Sequence, residues 1–170
     1  MYLISDGGIP CNTLDTIESI MLTKNVNNLD GVKLDVRKTI DNIYVLSRYN
    51  KLDKLTYSNN RVNKSKYSYL RKIKFKSHIF KYYIPTLEEI LKKYSHNKII
   101  VIELYDLGNE ELYYLIKKYP YKYFFISKDI NIINELKNYY FADLGIIIDN
   151  YEESIINRNH NKNTFLLNVN

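Results

Sequence analysis

Three acidic side chains, Asp6, Asp35 and Glu103, each stand at the end of a short apolar run that predicts a β-strand. Carboxylates brought together from separate strands could bind a hard divalent cation, which needs several oxygen ligands. Lys33 favours a different chemistry, because residues two apart on a strand point to the same side, so its ammonium would lie beside Asp35. We therefore predict an internal ion-pair cluster in which Lys33 pairs with Asp35 and Glu103 and replaces a metal ion.

Arg48 follows a further predicted strand and is a candidate for binding an anion. Its guanidinium does not deprotonate in proteins, so it cannot serve as an acid or base, but it can hold a phosphate or sulfate in a fork of hydrogen bonds. Cys11 has no adjacent cation or histidine to activate it, which predicts an inert thiol. The three histidines lie away from the predicted strand ends and are interpreted as loop residues: His78, His96 and His160.

A second set of charges lies between Asp53 and Glu88, where nine Lys and Arg residues occur without a single acid. Within it, Lys72 and Lys74 alternate with apolar residues, which predicts a strand over 72–76 with one charged face. Tyrosines and phenylalanines interleave with the cations, a pattern that suits an anionic surface such as nucleic acid or acidic lipid. A solvated charged face is the alternative, since no nucleic-acid-binding motif accompanies the pattern.

Strands and helices must position these residues. Along the chain, short apolar runs, which predict strands, alternate with amphipathic stretches, which predict helices. Such repeated strand–helix units predict an α/β fold with a parallel sheet and helices outside it. The runs at 31–36 and 43–47 are too close for a helical crossover and predict a hairpin. The predicted strands are 2–5, 31–36, 43–47, 72–76, 98–104, 121–127, 144–148 and 164–168. The predicted helices begin at the caps Asn12, Thr86 and Asp129 and at Asn109, with a further short helix at 152–157.

Three stretches, in order, are similar to segments of one enzyme family. ISDGGIPCNTLDTI resembles an opening of the form IAHRG…PENTL, and GVKLDVRKTIDNIYVLSRYNKLDKLT aligns without gaps to GVELDVxxTxDGxxVxxHDxxLxR. IPTLEEIL followed by IIVIELY resembles IPTLEExL and then IEIK. On these motifs, residues 2–105 resemble the glycerophosphodiester phosphodiesterases, and the resemblance implies a TIM-type (β/α)₈ barrel.

The resemblance also implies roles for individual positions. The family's two acid–base histidines fall on Asp6 and Arg48, and the glutamate of its metal-binding ELD motif falls on Lys33, whereas Asp35 and Glu103 are kept. We therefore expect inactive catalytic positions and an unoccupied remnant of a metal site at Asp35 and Glu103. The residues expected to contact a substrate or other anion are Asn12, Lys33, Arg48, Lys72 and Lys74.

The chain has 170 residues, whereas such a barrel usually needs about 250 and rarely fewer than 200. We predict a single domain over residues 1–170, an incomplete TIM-like barrel of about seven strands with a basic insertion at about 54–83. Open barrel edges predict a homo-oligomer or a partner chain that covers them. The expected function is a non-catalytic binding or regulatory module without a cofactor. Two alternatives stay open: a phosphodiesterase with a rearranged site and Mg²⁺ or Ca²⁺, and an anion-binding module acting through residues 54–81.

Composition excludes several other classes of protein. A 45% hydrophobic and 26% charged chain is not disordered, and one cysteine excludes a disulfide framework. The sequence has neither a run of about 18 apolar residues nor the start of a signal peptide. A cytoplasmic location is the expectation.

Overall fold

A computed structural model describes residues 2–9, 13–76, 82–94 and 97–139, together with two later strands at 144–148 and 164–168. Its centre is one sheet, whose strands are β1 Ile4–Asp6, β2 Gly31–Lys38, β3 Tyr44–Leu46, β4 Ile99–Leu104, β5 Tyr123–Ser127, β6 Leu144–Ile148 and β7 Thr164–Asn168. The strand order is β1-β2-β4-β5-β6-β7, with every neighbouring pair in that order parallel. Strand β3 is antiparallel to the end of β2, as the predicted hairpin requires.

The helices begin where local hydrogen bonds satisfy their first amides. Thr86 and Glu89 form the predicted capping box, with Glu89 N donating to Thr86 Oγ1 at 3.0 Å and Thr86 N donating to Glu89 Oε2 at 2.8 Å. Asp129 caps its helix as predicted, and Asn109, where the sequence predicted a helix to begin, is the N-cap of another. The helices are α1 Ile17–Leu22, α2 Tyr67–Leu70, α3 Leu87–Tyr94, α4 Glu110–Lys118 and α5 Ile130–Lys137.

The first helix begins later than the sequence predicted. Its N-cap is Thr16, whose side chain accepts from Ser19 N, and not Asn12. The turn before it instead folds back onto β1, since Asp15 N donates to Gly7 O at 2.9 Å. Asn12 and Cys11 lie outside the described residues, as do the three histidines and the short helix predicted at 152–157.

The main hydrophobic core lies between the sheet and the helices. Alternate residues of β2 and β4, such as Val32, Leu34 and Ile102, are fully buried against α1, α3, α4 and α5. Because side chains alternate along a strand, positions 33, 35 and 103 face the opposite side of the sheet. The strands therefore point their polar residues together into what would be the interior of a barrel.

A second, smaller core supports the chain between β3 and α3. It consists of Val45, Leu52, Val62, Leu70, Phe75, Tyr82 and Ile84. Residues 51–76, called the basic lobe below, fold around it with two 3₁₀ turns, Leu52–Lys54 and Val62–Lys64, and the short helix α2.

The strand predicted over 72–76 is wrong. Lys72 N and Ile73 N donate to Tyr69 O and Leu70 O at 3.0 Å, so a turn after α2 uses the amides that a strand would need. Only an isolated bridge joins Phe75 to Thr56. Phe75 is buried because it anchors the lobe core, whereas Lys72 and Lys74 are exposed.

The sheet is open, as predicted for an incomplete barrel. Its seven strands agree with the predicted barrel of about seven and correspond to the eight predicted strands without 72–76. Because β3 is a hairpin strand, six parallel strands form the barrel-like series. Within the described strands, β1 pairs only with β2 and β7 only with β6. In the described part of the chain, no helix has the length and apolar character needed to cross a membrane.

Candidate functional site

The strand register brings the predicted acidic residues to one place. Asp6 on β1 pairs with Lys33 on β2, and Asp35 on β2 pairs with Glu103 on β4. Asp6 is the last residue of β1 and Glu103 is the last but one of β4, so the four residues lie level with the carboxyl ends of these two strands, which is where active sites of TIM-type barrels form. We call these four residues, together with Arg48, the mouth cluster.

Lys33 is at the centre of the mouth cluster. Its Nζ lies 3.1 Å from Asp6 Oδ1, 3.2 Å from Asp35 Oδ1 and 2.5 Å from Glu103 Oε2. The Asp35 side chain is fully buried and that of Glu103 is 5% exposed, so both carboxylates depend on this ammonium for charge compensation. Burial lowers the pKa of Lys33, but the charge of Asp35 and the hydrogen bond to Glu103 outweigh it and leave the pKa raised.

Arg48 supplies the second cation. It follows β3, and its Nε and Nη2 donate to Asp35 Oδ2 at 3.1 and 3.0 Å, while Nη2 also lies 2.7 Å from Asp6 Oδ1. Tyr105 completes the shell by donating its hydroxyl to Asp35 Oδ1 at 2.8 Å. Burial raises the pKa of Asp35, but the charge of Lys33, the Tyr105 hydroxyl and Arg48 outweigh it, so the pKa lies below its ordinary value.

The family resemblance implies a divalent cation at this place, but the donor set does not fit one. The Lys33 ammonium occupies the space between the carboxylates, and Arg48 and Tyr105 take the remaining lone pairs of Asp35. Across residues 2–139, apart from the gaps given above, no group of three or more His, Cys, Asp or Glu side chains is placed to hold a metal ion. The mouth cluster is a set of ion pairs rather than a set of metal ligands.

Asp15 is a site residue that the sequence did not reveal. It is 4% exposed and its Oδ1 has no hydrogen-bond partner among the described residues. The chain reaches it through a tight turn in which Gly7 and Gly8 have φ of 70° and 96°. Burial, together with the charge of Asp35, raises the pKa of Asp15 to about 7. No motif or spacing in the sequence distinguishes this acid from an ordinary loop residue.

A cavity of about 350 Å³ lies beside the mouth cluster, between it and the basic lobe. Asp15 and Arg48 belong to its mouth side, whereas Lys54 and Lys76 come from the lobe. Lys54 Nζ lies 4.6 Å from the centroid of the Tyr49 ring, which also lines the cavity. The arrangement places cations and a buried carboxyl around one small space.

The remaining predicted contacts are not brought together. Lys72 and Lys74 are exposed on the lobe and are not among the described residues that line this cavity. Tyr105, by contrast, contacts the cluster, and it stands at the lysine of the IEIK motif in the resemblance of IIVIELY to that motif. Its position two residues after Glu103, on the same side of the chain, is the signal that could have placed it in the cluster.

Comparison with known proteins identifies the fold. The chain is similar to a glycerophosphodiester phosphodiesterase from Thermotoga maritima, with a TM-score of 0.73, 22% identity and coverage of 93% of this chain and 69% of that one. It is similar to a phosphodiesterase from Oleispira antarctica, with a TM-score of 0.70, 18% identity and coverage of 100% and 85%. A glycerophosphodiester phosphodiesterase from Agrobacterium tumefaciens gives a TM-score of 0.72, 12% identity and coverage of 99% and 95%.

These similarities confirm the predicted fold. A scan against models of protein families finds no match, and a search of curated proteins finds no similar sequence. At 12 to 22% identity, the structural similarity shows that the chain has the fold of glycerophosphodiester phosphodiesterases, and shows that alone.

Proposed function

We propose that this chain, which has the fold of the glycerophosphodiester phosphodiesterases, is a non-catalytic binding module. The observation that carries the proposal is the position of Lys33 Nζ, between 2.5 and 3.2 Å from Asp6, Asp35 and Glu103. The structure of the Oleispira antarctica phosphodiesterase holds its product, sn-glycerol-3-phosphate, which supports a small anion as the kind of ligand for this fold.

Neither Asp6 nor Arg48, which stand at the positions of the family's histidines, is free to act as the general acid or base of diester hydrolysis. Arg48 cannot accept a proton, because a guanidinium stays charged in proteins. Asp6 is engaged by both Lys33 and Arg48. Loss of one general acid or base typically costs about 10²–10⁴ in rate, so loss of both leaves hydrolysis near background.

Hydrolysis assays test the proposal. Glycerophosphocholine and bis-p-nitrophenyl phosphate would be incubated with the chain and Mg²⁺, Ca²⁺ or Mn²⁺, beside the matched variants Asp35→Asn and Glu103→Gln. We expect no turnover above that of the variants. Metal-dependent turnover that both substitutions abolish would overturn the proposal and favour a phosphodiesterase with a rearranged site that includes Asp6.

Metal titration is an independent test. Because the Lys33 ammonium already compensates the carboxylates, calorimetry with Mg²⁺ or Ca²⁺ is expected to show no tight binding. Tight binding that disappears in Asp35→Asn would contradict the proposed exclusion of metal.

A second candidate function is binding of a polyanion by the basic lobe. Every Lys and Arg from Lys54 to Lys76 is exposed, and none forms an ion pair among the residues that the structure describes. Such cations would release counterions from nucleic acid or acidic lipid, so affinity should fall steeply between about 50 and 200 mM salt. Fluorescence anisotropy with single-stranded DNA, and sedimentation with phosphatidylserine vesicles, would detect it. Binding that Lys72→Glu with Lys74→Glu leaves unchanged would count against this role.

A further inference from the structure

A second cavity, of about 330 Å³, lies where α1, the start of α3 and the basic lobe meet. The described residues that line it belong neither to the mouth cluster nor to the cavity beside that cluster. We infer that it binds a small zwitterion of the amino-acid class. The ammonium group of the ligand faces the carboxylates of Glu18 and Glu89, and its carboxylate faces Arg71.

The lobe wall of the cavity consists of Tyr67 and Arg71. Tyr67 joins the lobe to the rest of the fold, since its hydroxyl donates to Glu89 Oε2 at 3.2 Å and its backbone N donates to Asp41 Oδ1 at 3.0 Å. Arg71 follows Tyr67 by four residues at the end of α2, so the two side chains lie on the same side of that helix. The docked lobe therefore brings an aromatic ring and a guanidinium to the space that α1 and α3 border.

Glu89 supplies a fixed carboxylate on the α3 wall. Its Oε2 accepts from Thr86 N at 2.8 Å and from Thr86 Oγ1 at 3.1 Å, in addition to the Tyr67 hydroxyl. Its Oε1 accepts no hydrogen bond from a described residue, so one oxygen of a positioned carboxylate is available to a cation. A group that is fixed before binding loses little conformational freedom when the ligand arrives.

The charges on the cavity wall do not neutralise one another. Among the described residues that line the cavity, Arg71 alone carries a positive charge, and Glu18 in the first turn of α1 adds a second carboxylate. Arg71 forms an ion pair with neither glutamate in the described part of the chain, although all three border one space. A zwitterion can bridge these charges. A simple anion would meet two carboxylates, and a simple cation would leave Arg71 without a partner.

The position of the Arg71 charge is also visible at the Tyr67 hydroxyl. Burial and the charge of Glu89 raise the pKa of Tyr67 to about 12, and the charge of Arg71 opposes that rise. The guanidinium is therefore near the hydroxyl that contacts Glu89, on the cavity side of α2. A short molecule can reach both the free Glu89 oxygen and Arg71 from this position.

The size and the uncharged walls limit the class of ligand. The cavity is near the lower end of the roughly 300–1,000 Å³ typical of small-molecule sites, which suits a molecule of the size of an amino acid. Ile17, Ile84 and Pro85 give it aliphatic surface, and Tyr83 adds a second aromatic ring. These walls suit a hydrocarbon chain of a few carbons between the two charged groups.

The probes are ω-amino acids from 3-aminopropanoate to 6-aminohexanoate, which vary the distance between the two charges. Each is compared with the n-alkylamine and the alkanoate of the same chain length, which carry only one of the charges. Isothermal titration calorimetry of the full chain at pH 7 and low salt measures the affinities. The best zwitterion should bind about three- to fivefold more tightly than either matched probe, the effect of one ion pair at a partly exposed site.

Matched variants connect this binding to Arg71. Arg71→Met should lower the affinity for the best zwitterion to that for the matched amine. Arg61→Met removes the same charge from another exposed position of the lobe that does not line the cavity, and it should bind as the original chain does.

A second matched pair tests the carboxylate side. Glu18→Gln should weaken both the zwitterion and the amine by about three- to fivefold. Glu110→Gln, in the first turn of α4 and away from the cavity, should leave both unchanged. The side chains of Glu18 and Arg71 form no ion pair or hydrogen bond among the described residues, so both variants are expected to fold.

Three results would overturn the inference: no binding of any zwitterion at millimolar concentration, equal binding of the zwitterion and both matched probes, or equal loss in Arg71→Met and Arg61→Met. The hydrolysis assays are a separate test, because the cavity shares no described residue with the mouth cluster. Phosphodiester turnover with zwitterion binding would refute the non-catalytic role and leave this site standing. Absence of both would refute this site alone.

Discussion

Lys33 in the mouth cluster and the lysines of the basic lobe carry the same ammonium group in opposite settings. Lys33 has 20% of its side chain exposed and contacts three carboxylates. Lys72 and Lys74 are exposed and form no ion pair among the described residues. The first cation holds the strand ends together, whereas the other two contribute little stability and keep their charge exposed to solvent.

The largest expected effect is on the pH dependence of the unfolding free energy. It compares one acid from each region, Asp15 beside the mouth cluster and Asp53 in the basic lobe. The pKa of Asp15 is about 7, above its ordinary 3.8, so the folded state binds more protons between these values and its stability falls as pH rises from about 4 to 7. Asp15→Asn should lack this fall. The difference in unfolding free energy between the original chain and the variant should change by about 4 kcal/mol across that range.

Urea unfolding at several pH values from 4 to 8 measures this effect. Asp53→Asn is the control, because a hydrogen bond from Lys51 keeps the pKa of Asp53 below its ordinary value and no fall is expected in that range. The same pH dependence in the original chain and in Asp15→Asn would show that Asp15 does not titrate as the structure indicates.

The next effect tests the comparison between the lysines directly. Lys33→Met removes the only cation that contacts Glu103 among the described residues and leaves a buried carboxylate without compensation. We expect a loss of about 3 kcal/mol in unfolding free energy. Lys72→Met should change it by no more than about 0.5 kcal/mol. Equal effects in urea unfolding at pH 7 would remove the distinction between the two regions.

The smallest effect concerns tyrosine hydroxyls in the same two regions. Tyr105→Phe removes the hydrogen bond to Asp35 Oδ1 and should cost about 1 kcal/mol. Tyr57→Phe in the lobe should cost almost nothing, because Tyr57 is 82% exposed and its hydroxyl can bond to water. Thermal unfolding of both variants measures the pair, and a larger loss for Tyr57→Phe would contradict the comparison.

Much of the fold was predictable because it depends on local patterns. The capping box at Thr86 and Glu89 and the apolar run that forms β4 are each visible in a few consecutive residues. Lys33, Asp35 and Glu103 could be brought together as well, since strand alternation and parallel pairing are enough to place them. The ion pairs of Lys33 with Asp35 and Glu103 were predicted from one residue type, a lysine between two acids.

The rest depended on contacts between distant parts of the chain. Asp15 is buried because a turn at Gly7 and Gly8 folds its segment back onto the end of β1. The hydrophobic periodicity of the sequence does not predict such a turn. The alternating pattern at 72–76 indicated a strand, but no described strand lies beside it, and turn hydrogen bonds use the amides of Lys72 and Ile73. The prediction that Lys72 and Lys74 share one charged face of a strand is therefore wrong.

The existence of two separate cores has a consequence for local unfolding. Val45 and Leu46 are adjacent on β3, yet one packs in the lobe core and the other in the main core. The lobe is thus expected to open as its own cooperative unit, with its amides exchanging with solvent before those of β2 and β4. A ligand that touches both Glu89 and Arg71 would span two such units, so its occupancy would appear as slower hydrogen exchange in the lobe.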